Sequence, residues 1–179
     1  MFIPGWVISL ATFPGVVVHE AAHRLFCDLA KVPVYEVCYF RIGNPAGYVV
    51  HGEVNRLRDA LLISAGPLVI NTILCAILTY QQSLALFILK ESPSHFTTVF
   101  LAWIGYSIGM HAFPSNQDVK CFMSEFKKIR KGKTQNILYF ISQIFGFLIV
   151  VANFLRVVWF DLIYAVGVSM VIPLLLGNI

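Results

Sequence analysis

IPGWVISLATFPGVVVHEAAHR, residues 3–24, decides what kind of protein this is. Sixteen uncharged, mostly apolar residues (Ile3 to Val18) run straight into His19-Glu20-Ala21-Ala22-His23. Three ionisable side chains therefore sit in, or at the edge of, a segment that reads as membrane-bound. Such groups are costly inside a bilayer and rare there unless they have a task. Helical residues four apart share a face about one turn from each other, so the imidazoles of His19 and His23 can reach one zinc ion while Glu20 faces its water. An H-E-x-x-H also arises by chance in long sequences, and the apolar setting is what favours the metal. Sites of this kind hydrolyse amide bonds.

Composition agrees with the membrane setting. Hydrophobic residues make up 58% and charged residues 12%, with a mean hydropathy of +0.77. A soluble core of 179 residues needs less apolar surface than that. A spanning helix takes about 20 apolar residues, and four or five stretches approach that length. The expectation is an all-α polytopic membrane protein of about five transmembrane helices, a single membrane domain over 1–179, with a small β-hairpin at the membrane face after the first helix. No Lys or Arg precedes Arg24, so the first run lacks the positive region of a secretory signal and reads as a retained helix. Cys27, Cys38, Cys75 and Cys121 form no C-x-x-C pair and read as buried or membrane-facing thiols. The net charge of +4 follows the membrane and calls for no nucleic acid.

Taken in order, residues 3 to about 30 form the first helix, which Pro14 can bend. Residues 32–53 mix Val, Tyr and Phe with charges around the turn Gly43-Asn44-Pro45-Ala46-Gly47, which predicts a β-hairpin too polar to span. Its edge is placed to pair with an extended substrate strand, unless it is a structural flap. The second span covers Ala60 to Tyr80, with Gly66-Pro67 breaking helix regularity and Asn71 placing an amide in hydrocarbon. That amide needs a partner, either a neighbouring helix or an unwound substrate backbone. Gln81 and Gln82 end the span, and Ser83 to Leu89 reads as interfacial or re-entrant. After a polar loop at 90–95, Thr97 to Ala112 makes the third span and leads to His111, Pro114 and Asp118. The basic stretch that follows, 121–135 with Lys120 just before it, reads as a solvated cytoplasmic segment against anionic lipid. Residues 136–179 hold two further spans joined by a tight turn near Arg156 and Asp161.

Positive charge sets the orientation. Eleven of the thirteen Lys and Arg fall between spans one and two or between spans three and four, leaving Lys90 and Arg156 for the opposite face. The N-terminus is then outside and the C-terminus cytoplasmic. His19 and His23 come to the cytoplasmic end of span one, at the depth of Asp118 just past span three. A catalytic zinc commonly takes three protein ligands and one water, so Asp118 is the natural third ligand; Glu36, Glu53 and the ring of His111 compete for the place.

These residues resemble the site-2 protease family of intramembrane zinc peptidases. The matching features are HEAAH at 19–23, AGPLVIN at 65–71, and Pro114 followed by Asp118, covering roughly residues 1–120. The third motif departs from the usual family form and is closer to that of a small bacterial branch, with His111 in the asparagine position and no glycine after Asp118. The resemblance implies a bacterial cell-membrane endopeptidase that cuts a single-span substrate near the cytoplasmic side. It implies Zn2+ on His19, His23 and Asp118, Glu20 as the base, Asn71 engaging substrate, and His111 as a transition-state donor, a ligand or a helix-end residue. An inactive membrane adaptor of the same fold, or a metal or proton transporter, are the competing functions. The sequence assigns no oligomeric state.

Overall fold

In the computed structural model, which describes residues 4–90, 95–130 and 137–176, the chain is mostly helical. The described residues form α1 (Gly5–Ala11), α2 (Phe13–Leu29), β1 (Val34–Cys38), β2 (Tyr48–His51), α3 (Leu57–Leu84), α4 (Phe96–Met110), α5 (Asn116–Arg130), α6 (Ile137–Leu155) and α7 (Phe160–Leu176). α3 and the stretch from α6 to Val158 are long and apolar enough to cross a membrane, and α1 with α2 would make a third if taken as one broken span. α4 and α7 are apolar but have only 15 and 17 residues. At about 1.5 Å per residue they reach roughly 22–26 Å, against a hydrocarbon core of about 30 Å. By length and composition, two or three of the five expected spans are met.

The single first helix expected from the sequence is two. α1 and α2 meet at 89° around Thr12, whose φ of −117° and ψ of 32° lie outside the helical region. The Thr12 hydroxyl donates to the Ile8 carbonyl at 2.7 Å and closes α1. Pro14, lacking an N–H, suits the first turn of a new helix. The bend brings α2 against α4 so closely that a Cβ on Gly15 would collide with the Ser107 carbonyl, which reserves the position for glycine. α2 ends in a Schellman motif: Lys31 takes φ 57°, its N–H reaches Asp28 O at 3.1 Å, and the Val32 N–H reaches Cys27 O at 2.9 Å. Cys27 and Val32 then join Val54, Ala60, Ile63 and Phe122 in the core beneath the hairpin.

The hairpin forms where the sequence places it. Its strands are antiparallel, with Glu36 opposite Val50, Val37 opposite Val49 and Cys38 opposite Tyr48. α3 contains Gly66-Pro67 within it, as the sequence placed them, but does not stop at Gln81. It runs through Pro67 to Leu84 and widens into a π turn at Ala85–Leu89, so Ser83–Leu89 continues the helix instead of forming a separate interfacial piece. Pro67 costs α3 only the bond to the Ile63 carbonyl four residues back.

α5 carries the expected basic residues up to Arg130; Lys131 and Lys133, like most of the 90–95 loop, lie outside the described residues. It is amphipathic, not wholly solvated. Phe122 and Phe126 are buried on its other face, against Phe145 and Tyr139 of α6 at centroid distances of 5.6 and 5.1 Å. These pairs make α5 and α6 antiparallel, so α6 returns to the level where α5 began. The turn Arg156–Val158 and Trp159, at φ 61°, then redirects the chain into α7, which packs on α3 and α4. Two helices joined by a turn stand for the described residues 137–176. The placement of Arg156 on the face opposite Asp118 does not: its guanidinium donates to Phe113 O at 3.0 Å, because the ring-to-ring packing of α5 and α6 carries the corner back to that loop.

Candidate metal centre

His19 and His23 lie on the buried face of α2, and each ring is held from behind by a backbone carbonyl. His19 Nδ1 lies 2.6 Å from His111 O, and His23 Nδ1 lies 3.0 Å from Ile63 O. Both acceptors are carbonyls that their helices leave unpaired. His111 is the residue that ends α4, where the last carbonyls have no intrahelical donor. Ile63 is four residues before Pro67, whose ring nitrogen has no hydrogen to give it. A carbonyl can only accept, so both Nδ1 atoms carry protons and, in the neutral rings, both Nε2 atoms carry lone pairs.

Those two Nε2 atoms stand 3.1 Å apart. Facing them is Asp118, with Oδ2 3.5 Å from His19 Nε2 and Oδ1 3.5 Å from His23 Nε2. Three donor groups thus converge with no hydrogen between them, an arrangement that repels unless a cation or an extra proton occupies its centre. Tetrahedral zinc with bonds of about 2.0–2.1 Å sets ligand atoms about 3.3 Å apart; the two nitrogens stand 3.1 Å apart, each is 3.5 Å from a different Asp118 oxygen, and one donor atom from each residue lies within 4.8 Å of the others. The donor set therefore fits the ion. Burial pushes the Asp118 carboxyl upward, but where the extra proton sits on the facing imidazoles, their hydrogen bonds and charge hold it well below the usual carboxylate range.

Asp118 owes its position to a capping box. Ser115 precedes α5, and the Asp118 N–H donates to its hydroxyl oxygen at 3.3 Å, while the Ser115 N–H donates to Asp118 Oδ2 at 2.7 Å. The Ser-x-x-Asp spacing of this device is visible in the sequence and was the missed signal for why this aspartate, and not another, is presented inward.

Glu20 is buried between the histidines, at 8% exposure. The hairpin loop closes over it, since a Cβ on Gly47 would lie 2.6 Å from Glu20 Cγ and 3.0 Å from Cys38 O. His19, Glu20, Gly47, His111, Arg156 and Trp159 line a cleft of about 590 Å³. Glu20 also lines a smaller opening of about 50 Å³ with His23 and Asp118. Gly47, Ser115 and Gln117 line both openings as well, and of the four Glu20 is the one with a titratable side chain.

The remaining sequence candidates fall elsewhere. Asn71 is fully buried, and its amide nitrogen donates to Ile108 O at 3.1 Å and to His111 O at 3.0 Å. It pins the end of α4 and shares the carbonyl that orients His19, which is the neighbouring-helix partner among the two the sequence allowed. The His111 ring stays outside the cluster of three donors found among the described residues. Its Nε2 is 2.8 Å from the Thr12 hydroxyl, which already donates to Ile8 O and so accepts from His111. What His111 gives the centre is its carbonyl. The competitors Glu36 and Glu53 are engaged with Tyr48 and Lys128. Sequence reasoning passed over Ser115, the Ile63 carbonyl, Thr12, Asn153 and Arg156. No protein-family model, curated protein or solved structure matches the chain.

Proposed function

We propose that this chain is a zinc-dependent intramembrane endopeptidase, acting as the site-2 protease family does on a single-span membrane protein and cutting it toward the cytoplasmic side. One observation carries the reading: two imidazoles with their Nε2 lone pairs turned inward and a carboxylate across from them, beside a buried glutamate that lines the adjoining cleft. His19, His23 and Asp118 would hold the zinc ion, which would supply the Lewis acidity for hydrolysis near neutral pH.

The chain's own residues do the rest. Glu20 takes the proton of the attacking water and returns it to the leaving amine, as a positioned general base and then acid. A helical substrate conceals its carbonyls in hydrogen bonds, so the segment to be cut must enter extended, and the 43–47 loop that lines the cleft is suited to hold it. Asn71 fixes the His111 carbonyl through its amide donors, and its side-chain oxygen, which meets no donor among the described residues, is the part left to engage substrate.

The test is zinc content together with cleavage of a single-span substrate in detergent or vesicles. Glu20→Gln is expected to keep one zinc per chain and lose hydrolysis by several orders of magnitude. Turnover retained in that variant removes Glu20 as the base. Metal-free, inactive wild-type protein removes the peptidase and leaves the adaptor.

A further inference from the structure

The last two helices carry no motif, yet they hold the loop on which the third ligand depends. The segment from Ala112 to Ser115 lies between α4 and α5, and of its carbonyls Ser115 O accepts from the Val119 N–H of α5 at 3.0 Å. Two others are met from the α6–α7 corner: Asn153 Nδ2 donates to Pro114 O at 3.2 Å, and Arg156 Nη2 donates to Phe113 O at 3.0 Å. Arg156 is braced in turn by Asp161, Nε to Oδ2 at 2.8 Å. The Phe113 ring sits against Phe160 and Tyr164 of α7, at centroid distances of 5.3 and 4.7 Å.

Both ends of this short segment belong to the metal centre. At one end His111 O fixes the ring of His19; at the other the Ser115 N–H fixes Asp118 Oδ2. A shift of the Phe113-Pro114 peptides therefore moves a ligand and the orienting carbonyl of a second ligand together. Groups that orient metal ligands are commonly worth 10- to 100-fold in metal affinity.

We infer that Asn153 and Arg156 are positioning residues of the metal centre, clamping the 112–115 segment from a part of the chain with no ligand of its own. The inference rests on the metal reading of His19, His23 and Asp118. It assigns α6 and α7 a task that membrane anchoring alone would not give them, and it makes a truncated chain ending near residue 120 a poor metal binder even where its three ligands remain.

The experiment loads purified full-length protein with Zn2+ against a competing chelator, and separately with Co2+, whose visible spectrum reports ligand geometry. Wild type, Asn153→Leu, Arg156→Ala, Arg156→Lys and the exposed α6 variant Gln143→Ala are compared. Asn153→Leu and Arg156→Ala are expected to bind zinc about 10- to 100-fold more weakly and to shift the cobalt bands, with metal-free helix content unchanged. Arg156→Lys, which keeps one donor for Phe113 O, recovers part of the loss, and Gln143→Ala matches wild type. If Arg156→Ala does not fold, Asn153→Leu decides alone. Wild-type affinity and spectrum in Asn153→Leu overturn the clamp while the metal centre stands, whereas a wild type that takes up neither ion overturns the centre itself.

Discussion

Pro67→Ala separates what helix α3 would prefer from what the metal centre needs. Alanine in place of proline in a helix interior is worth about 3 kcal/mol to the helix. Pro67 is fully buried, and losing two ring carbons costs about 2 kcal/mol in transfer and cavity terms. The two effects nearly cancel, so the metal-free protein is expected to be as stable as wild type or slightly more so. The new N–H at position 67, however, bonds the Ile63 carbonyl along the helix axis and draws it from His23 Nδ1, 3.0 Å away in the wild type. His23 then loses the partner that fixes both its tautomer and its ring angle. A loss of this kind is expected to weaken zinc binding about 10- to 100-fold, or about 1.4–2.8 kcal/mol. The assay is zinc competition against a fluorescent chelator in detergent, alongside thermal unfolding of the metal-free protein. Zinc affinity within twofold of wild type, with stability unchanged, would refute the idea that the proline exists to free that carbonyl.

Other outcomes follow from the same geometry. Asp118→Ala removes one of three ligands and is expected to leave less than a tenth of the zinc after dialysis, read by elemental analysis; full occupancy takes Asp118 out of the ligand set. Ser115→Ala deletes the cap of α5 but spares the Ser115 N–H to Asp118. It should cost about 1 kcal/mol in chemical unfolding of the metal-free protein and lower zinc affinity far less than Asp118→Ala does. An equal loss of zinc in the two variants would contradict the backbone's role. Gly47→Val sets side-chain atoms where Glu20 Cγ would be 2.6 Å from the Cβ, so hydrolysis should fall at least tenfold with zinc content intact. Unaltered cleavage would mean that the loop does not close over Glu20.

Much of the centre was legible because its chemistry is local. His19 and His23 share a helix face by spacing alone, and Glu20 between them needs no long-range contact to be recognised. Asp118 was reachable from charge sidedness, although part of that argument fails at Arg156, where the packing of α5 on α6 returns the chain to the loop at 113–114. The break at Thr12 was read only as a bend at Pro14, and Pro67 was read as an irregularity without a use. A proline is punctuation only where its missing hydrogen bond has no other use: at Pro14 it opens a helix, and at Pro67 the orphaned carbonyl is spoken for by a residue 40 positions away.

By itself the sequence determined an apolar, helical chain with a hairpin after its first helical stretch and a metal-competent pair of histidines beside a carboxylate. Those properties follow from periodicity and composition within a few turns of chain. Only the tertiary structure decided which nitrogen of each histidine faces inward, why Asp118 points at them, and that the motif-free α6–α7 corner grips their loop. The first and the last of these turn on backbone carbonyls, groups that every residue carries alike, so the side-chain sequence does not mark which of them a distant helix will meet; the second left its mark in the Ser115-x-x-Asp118 spacing.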